Sequence, residues 1–250
     1  MAKQQIALQL YSVRDALARD FAGTLRRVAE MGYSVVETAF FPEGVTLEEA
    51  STQLRANKLR PIAAHVDLPL REMRATVLHT AETFECTRIV WHGWPRDERY
   101  GSLDGLQRLA DDYNTANHFA KSRGLQLGLH NHWWEMQAVG GVIPYRFMLD
   151  HLDADLFFEL DAYWTLVAGL DPVAVAREMG PRLQLLHIKD GPAKRGEPMT
   201  ALGMGVMDIP ALLSACVHND YVIVELDECA TDMLGAVAQS RHYLLGQGLA

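Results

Sequence analysis

The stretch "LQLLHIKDG", Leu183–Gly191, decides how the chain is read. An apolar run suited to a buried strand meets the ionisable side chains of His187, Lys189 and Asp190, and Gly191 closes it. Strands buried on both faces of a parallel sheet read as near-continuous apolar runs rather than as alternating ones. The same pattern, apolar run then charge, returns along the chain. It is present in "YSVVETAF" (33–40), "LRPIAAHVDL" (59–68), "TRIVWHGW" (87–94), "LQLGLHNHWWE" (125–135), "DLFFELDAYW" (155–164) and "YVIVELDE" (221–228), and "QIALQL" (5–10) is a similar apolar run that ends at Tyr11.

Helical patterns fill the intervals. "FAGTLRRVAEMG" (21–32) spaces Phe21, Leu25, Val28 and Ala29 at helical intervals and stops at Gly32, a favoured C-terminal cap, while Thr46 N-caps the helix of "TLEEASTQLRANK" (46–58). Further helices are expected over 70–86, 103–124, 144–152, 171–180, 209–219 and 232–246. Eight strand–helix units in 250 residues predict an α/β fold of the (β/α)8 TIM-barrel type, one domain over residues 1–250. A doubly wound sheet usually has fewer units and often a glycine-rich phosphate loop after its first strand. Here the nearest approach, "GMGVMD" (203–208), lies between the seventh and eighth strands.

Composition narrows the function classes. With 49% hydrophobic and 22% charged residues the chain is ordinarily globular, and a net charge of −9 without a basic run disfavours nucleic acid as a partner. Cys86, Cys216 and Cys229 have no paired spacing, so they are expected to be reduced and buried. The N-terminal "MAKQQIALQL" is short and polar for a signal peptide, and no stretch approaches the ~18 apolar residues of a membrane span. A soluble, cytoplasmic protein with no membrane partner is expected; assembly into a homo-oligomer is left open.

In a barrel of this kind the active site is built at the C-terminal ends of the strands. Tyr11, Glu37, His65, His92, His130, His132, Glu135, Asp161, His187, Lys189, Asp190, Glu225, Asp227 and Glu228 all fall there. Singly, such a histidine is usually a hydrogen-bonded structural residue. Together they would bring several carboxylates and imidazoles to one mouth, and unpaired buried charge is expensive. A divalent metal neutralises such a set; Asp161, His187 and Glu225, each following an apolar strand, are the foremost ligands. The absence of cysteine at the strand ends argues against a thiolate site.

With "GLHNHWWE", "ELDAYW" and "HIKDG" in place, the sequence resembles, over nearly its whole length, the xylose isomerase-like TIM-barrel superfamily, which also has an abasic-DNA endonuclease branch. Within it, "HNH..E", "ELD.YW" and "H.KD" resemble the sugar phosphate isomerase/epimerase family. The resemblance implies one ion, Mn²⁺ favoured with Mg²⁺, Co²⁺ or Zn²⁺ as alternatives, held by residues of strands five to eight, with two glutamates flanking the substrate. Asp161, His187 and Glu225 match family ligands. Where relatives carry a fifth-strand glutamate, this chain has His130 and His132, with Glu135 a few residues on. Either Glu135 reaches back or a histidine takes its place; Glu135 is preferred, because three carboxylates and one imidazole suit a hard ion. Thr200 and Ala201 stand where relatives commonly have a glutamate before the loop glycine.

Such a site supports proton abstraction beside a carbonyl, with the metal stabilising an enediolate. Return of the proton to the opposite face epimerises a keto-sugar or sugar phosphate, and return to the neighbouring carbon isomerises it. Loss of a β-substituent makes the enzyme a dehydratase or lyase instead. Glu225 and Glu135, with His130 and His132, are the expected proton carriers. Tyr11, Glu37, His65, His92, Trp164 and Lys189 are the expected substrate contacts, with Trp133 and Trp134 offering further flat faces. Asp190 is expected to orient its neighbours or cap the loop.

Overall fold

The computed structural model describes residues 4–216 and 219–250. Met1–Lys3 of the polar N-terminal stretch, and Val217 and His218 of the helix expected over 209–219, lie outside the described residues. The strands are β1 (Gln5–Gln9), β2 (Val35–Thr38), β3 (Arg60–Val66), β4 (Arg88–Trp91), β5 (Gln126–His130), β6 (Phe157–Asp161), β7 (Leu183–Ile188) and β8 (Tyr221–Val224). They pair in parallel in sequence order, and β8 returns to β1 through Ile6↔Val222 and its neighbours, closing the barrel.

The helices are α1 (Arg14–Arg19), α2 (Phe21–Glu30), α3 (Leu47–Ala56), α4 (Met73–Thr83), α5 (Leu103–Ser122), α6 (Pro144–His151), α7 (Ala162–Val167), α8 (Pro172–Met179), α9 (Ile209–Ala215) and α10 (Met233–Gly246). Their starts follow local chemistry. Thr46 Oγ1 accepts from the Glu49 N–H, Ser102 Oγ from Gly105, and Asp232 Oδ2 from Gly235, while Pro144 and Pro172 fill first-turn positions where no donor is needed.

Two expected strands end earlier than their apolar composition suggests. β6 stops at Asp161, whose Oδ1 accepts from the Trp164 N–H at 2.8 Å and so starts α7, placing Trp164 on a helix. β5 stops at His130, and Trp134–Met136 form a 3-10 turn.

Alternation along the strands sorts apolar residues into two cores. Leu8, Val36, Ala64, Ile89, Leu127, Phe158, Leu186 and Val222 face the helices. Ala7, Val35, Ala63, Val90, Phe157, Leu185 and Ile223 fill the barrel interior. Because successive side chains point to opposite faces, both faces are apolar and the strands lose visible alternation. Cys86 and Cys216 are buried free thiols and Cys229 is half-buried. Among the described residues no helix is long and apolar enough to cross a membrane.

Gly128 makes the interior core possible. A Cβ at this position would lie 2.2 Å from the Phe157 ring, on the strand paired with it through Gly128↔Phe157. The ring therefore uses the space that any other fifth-strand residue would take, and its burial contributes roughly 1.5–3 kcal/mol. Gly128→Ala is expected to destabilise the protein by about 1–3 kcal/mol through overpacking. Thermal melting should show the loss, and Phe157→Leu in the same chain should recover part of it.

Candidate active site

The period of two that fills the interior also fixes what lies above it. Two residues beyond Ala7, Val35, Ala63, Val90, Gly128, Phe157, Leu185 and Ile223 stand Gln9, Glu37, His65, His92, His130, Glu159, His187 and Glu225. Every strand thus delivers one polar side chain to a layer resting on the apolar plug. Another step of two brings Asp161, Lys189 and Asp227. Pairing shifts register just before Glu37 and just before Glu159, where such irregularities re-aim side chains.

The polar layer satisfies itself. Gln9 Nε2 donates to Glu37 Oε2 at 2.8 Å, and His187 Nε2 stands 2.6 Å from the same oxygen. His187 Nδ1 stands 2.7 Å from Glu225 Oε2. Glu159 Oε2 meets His65 Nε2 at 2.6 Å, His130 Nδ1 at 3.0 Å and His187 Nε2 at 3.2 Å. Lys189 Nζ reaches Asp161 Oδ2 at 2.8 Å and both Glu225 Oε2 and Asp227 Oδ2 at 2.9 Å. Asn131 locks Asp161 in place: its Oδ1 accepts from the Asp161 N–H and its Nδ2 donates to the Asp161 carbonyl.

Burial and neighbours divide the imidazoles into two kinds. Burial alone would favour neutral rings, but Glu37 and Glu159 push His65 up to about 10, and Glu159, Glu225 and Glu37 hold His187 well above the ordinary histidine range. Burial, reinforced by the charge on His187, keeps His130 well below that range, and burial takes His92 down to about 4. A carboxylate accepts only, so the His130 proton sits on Nδ1 against Glu159 and leaves Nε2 with a free lone pair. Although burial opposes it, Lys189 and His187 keep Glu225 ionised. Burial raises Asp161 despite Lys189, because Glu225 and Asp227 crowd the same charge.

His130, Asp161, His187 and Glu225 each offer a ligand atom within 4.8 Å of the others. Two imidazoles and two carboxylates form a good donor set for Mn²⁺, Co²⁺ or Zn²⁺. Apart from its ion pair with Lys189, Asp161 Oδ2 is buried with no hydrogen-bond partner, as a ligand oxygen would be. A second set, His65, His130, Glu159 and His187, overlaps the first. Each set has two members lining the cavity, His65 and His130 in the second and His130 and Glu225 in the first, and two that are fully buried, Glu159 and His187 against Asp161 and His187.

That cavity holds about 340 Å³, within the range of small-molecule sites. Lys189, Glu225 and Asp227 line one side, and His65, His92, His130 and His132 the other. Tyr11, Phe40, Trp94, Trp133 and Trp164 form its rim. Of the expected substrate contacts, Tyr11, His65, His92, Trp164 and Lys189 are in place.

Two expectations need correction. Glu37 is fully buried and bonded to Gln9 and His187 beneath the floor, out of reach of a substrate. Glu135 lies outside the cluster of His130, Asp161, His187 and Glu225, in which His130 is the fifth-strand member. The 3-10 turn carries the Glu135 carboxylate back under His132, where Oε2 accepts the His132 backbone N–H at 2.9 Å and Oε1 lies 3.9 Å from His132 Nδ1. Glu159 and Gln9 escaped the sequence reading; counting in twos from the apolar interior would have found both.

Because His187 carries two protons without metal, ligation must release one. Affinity for Mn²⁺ is therefore expected to rise with pH, with proton release visible by calorimetry in two buffers of different ionisation enthalpy. His130→Ala should weaken Mn²⁺ binding at least tenfold and Glu135→Gln should leave it near parental. His65 supplies a separate test in metal-free protein. Its folded-state value, about 10, lies above the roughly 6.5 of an unfolded histidine, so its stabilisation is complete below pH ~6.5 and lost as pH rises through about 10. Denaturant unfolding should show the parent losing stability across that window and His65→Gln losing markedly less.

Comparison with known proteins places these features in context. A sugar phosphate isomerase/epimerase from Parabacteroides distasonis superposes with a TM-score of 0.81 at 24% identity, covering 97% of this chain and 98% of that one. A probable 3-DHS dehydratase from Bacillus anthracis superposes with a TM-score of 0.74 at 15% identity, covering 96% and 98%. Inosose dehydratase of Serratia proteamaculans is 28% identical over 123 residues, which span 48% of this chain and 41% of that relative. Residues 25–244 match the family described as xylose isomerase-like TIM barrel. With that match running from within α2 to the last turn of α10, the chain belongs to the xylose isomerase-like TIM barrel family.

Proposed function

We propose that this chain catalyses metal-assisted proton transfer beside the carbonyl of a keto-sugar or sugar phosphate, as an isomerase or epimerase. One observation carries the reading: the donor atoms of His130, Asp161, His187 and Glu225 converge within 4.8 Å at the floor of the cavity. A divalent ion held there, Mn²⁺ favoured, would supply the positive charge that stabilises an enediolate. Glu225, ionised and facing the cavity, takes the proton from carbon. His187 orients that carboxylate from below at 2.7 Å. Lys189, whose ammonium is held among Asp161, Glu225 and Asp227, also lines the cavity and fixes the direction of the Glu225 carboxylate. His132 lines the same cavity as Glu225, its ring stacked on Trp134 at 4.3 Å and its Nδ1 facing Glu135. It moves the proton on the other face of the planar carbon skeleton.

Elimination is the second reading, favoured by a specific feature. Imidazoles line the side of the cavity facing Glu225, so a proton removed by Glu225 can be matched by one given from His132 to a leaving oxygen as the C–O bond breaks. The dehydratases among the similar proteins fit this reading.

Incubating a panel of keto-sugars with the protein and Mn²⁺ in D₂O tests both. Deuterium uptake at carbon with retained composition supports isomerase or epimerase chemistry, loss of water or of a substituent supports elimination, and no uptake from any sugar contradicts the proposal. Glu225→Gln is expected to lower the rate by on the order of 10²-fold or more, as for loss of a positioned acid–base group.

A further inference from the structure

We propose that the cavity mouth selects an uncharged sugar carrying a flat apolar or aromatic substituent, and not a phosphorylated one. The inference rests on the function proposed above and narrows its substrate class.

The rim is apolar where water reaches it. Phe40 and Trp94 are 58% and 60% exposed, yet both line the cavity. Their rings continue inward as one aromatic wall. Phe40 meets His92 edge-on at 5.0 Å, while Trp94 lies 5.9 Å from His132 and 5.7 Å from Trp134. Large apolar side chains held open at the mouth of a site mark a surface that a ligand covers, and the faces of such rings suit a flat partner. The wall stands on the imidazole side of the cavity, so the substituent is held next to His132 while the sugar reaches Glu225.

Phosphate finds its usual place taken. In barrels of this type the loops after strands seven and eight commonly gather backbone N–H groups around a phosphate. Here the N–H groups of Gly191, Gly203, Gly205 and Met207 donate to the carboxylate of Asp190 at 2.8, 2.9, 3.0 and 3.1 Å. Asp190 is fully buried, and a Cβ on Gly205 would fall 2.1 Å from its Oδ1, so the loop is closed around its own anion. The lysine and arginine lining the cavity among the described residues are Lys189 and Arg195, and the charge of the lining His65 is taken by Glu37 and Glu159. Lys189 is held by Asp161, Glu225 and Asp227, and the Arg195 guanidinium lies over the Trp133 ring at 3.7 Å. Asp161, Glu225 and Asp227 share the one ammonium of Lys189, so the local charge disfavours a second anion.

Calorimetric titration of the metal-loaded protein with phenyl β-D-glucopyranoside, D-glucose and D-glucose 6-phosphate tests the inference. Phenyl glucoside is expected to bind on the order of tenfold tighter than glucose, and the phosphate no tighter than glucose. Trp94→Ala and Phe40→Ala, both exposed and outside the proton-transfer set, should each cut the phenyl preference at least threefold while leaving affinity for glucose unchanged. Tighter binding of the phosphate, absence of any phenyl preference, or a preference undiminished in both variants overturns it. Deuterium exchange separates the two claims: a protein that exchanges keto-sugars but shows no phenyl preference refutes this inference alone. A phenyl preference without exchange of any sugar leaves the aromatic mouth standing and refutes the proposed reaction.

Discussion

His187 is held between two carboxylates, Glu225 at 2.7 Å on one ring nitrogen and Glu37 at 2.6 Å on the other, and the polar layer depends on that contact. A charged ring at the centre of a barrel is tolerated only when every neighbouring charge is matched. Glu37 is braced by Gln9, Glu159 by His65 and His130, and Glu225 by Lys189. Removing one partner would leave another uncompensated, so the layer stands or falls as a unit. The apolar plug beneath it, with Phe157 across Gly128, gives the layer a dry floor in which those contacts are strong.

Above that floor the chemistry divides by strand. Asp161, Lys189, Asp227 and Glu225 come from the β6–β8 side, while His65, His92, His130 and His132 come from β3–β5. Carboxylate faces imidazole across the cavity, which is the arrangement a proton transfer between two faces of one carbon requires. With His130 where a fifth-strand carboxylate would stand, the cluster of His130, Asp161, His187 and Glu225 carries less negative charge than a three-carboxylate set.

Much of this was legible in the sequence. Eight apolar runs, seven of them with an ionisable residue at or near the end, point to the closed barrel, because a both-faces-buried strand and its helix partner leave different periods. Asp161, His187 and Glu225 stand out because each ends a largely apolar run, and their ligand atoms lie within 4.8 Å of one another. Glu159 was missed for the same reason: it lies inside "FFELD", two residues before the strand end, and only the inward period of two marks it as a partner of the histidines. Glu135 was misplaced because sequence distance from His130 says nothing of direction, and the turn at Trp134–Met136 reverses it. Trp164 reached the cavity as expected, but from α7, since the Asp161 side chain caps a helix where apolar composition favoured more strand.

The central claim is that these late-strand residues hold a divalent ion at the floor of the cavity. Anomalous diffraction from Mn²⁺-soaked crystals tests it most directly. One strong peak is expected, bounded by His130, Asp161, His187 and Glu225, with the Glu135 carboxylate still on the His132 backbone. A peak ligated by Glu135, or no peak among these four side chains at saturating Mn²⁺, would contradict the account.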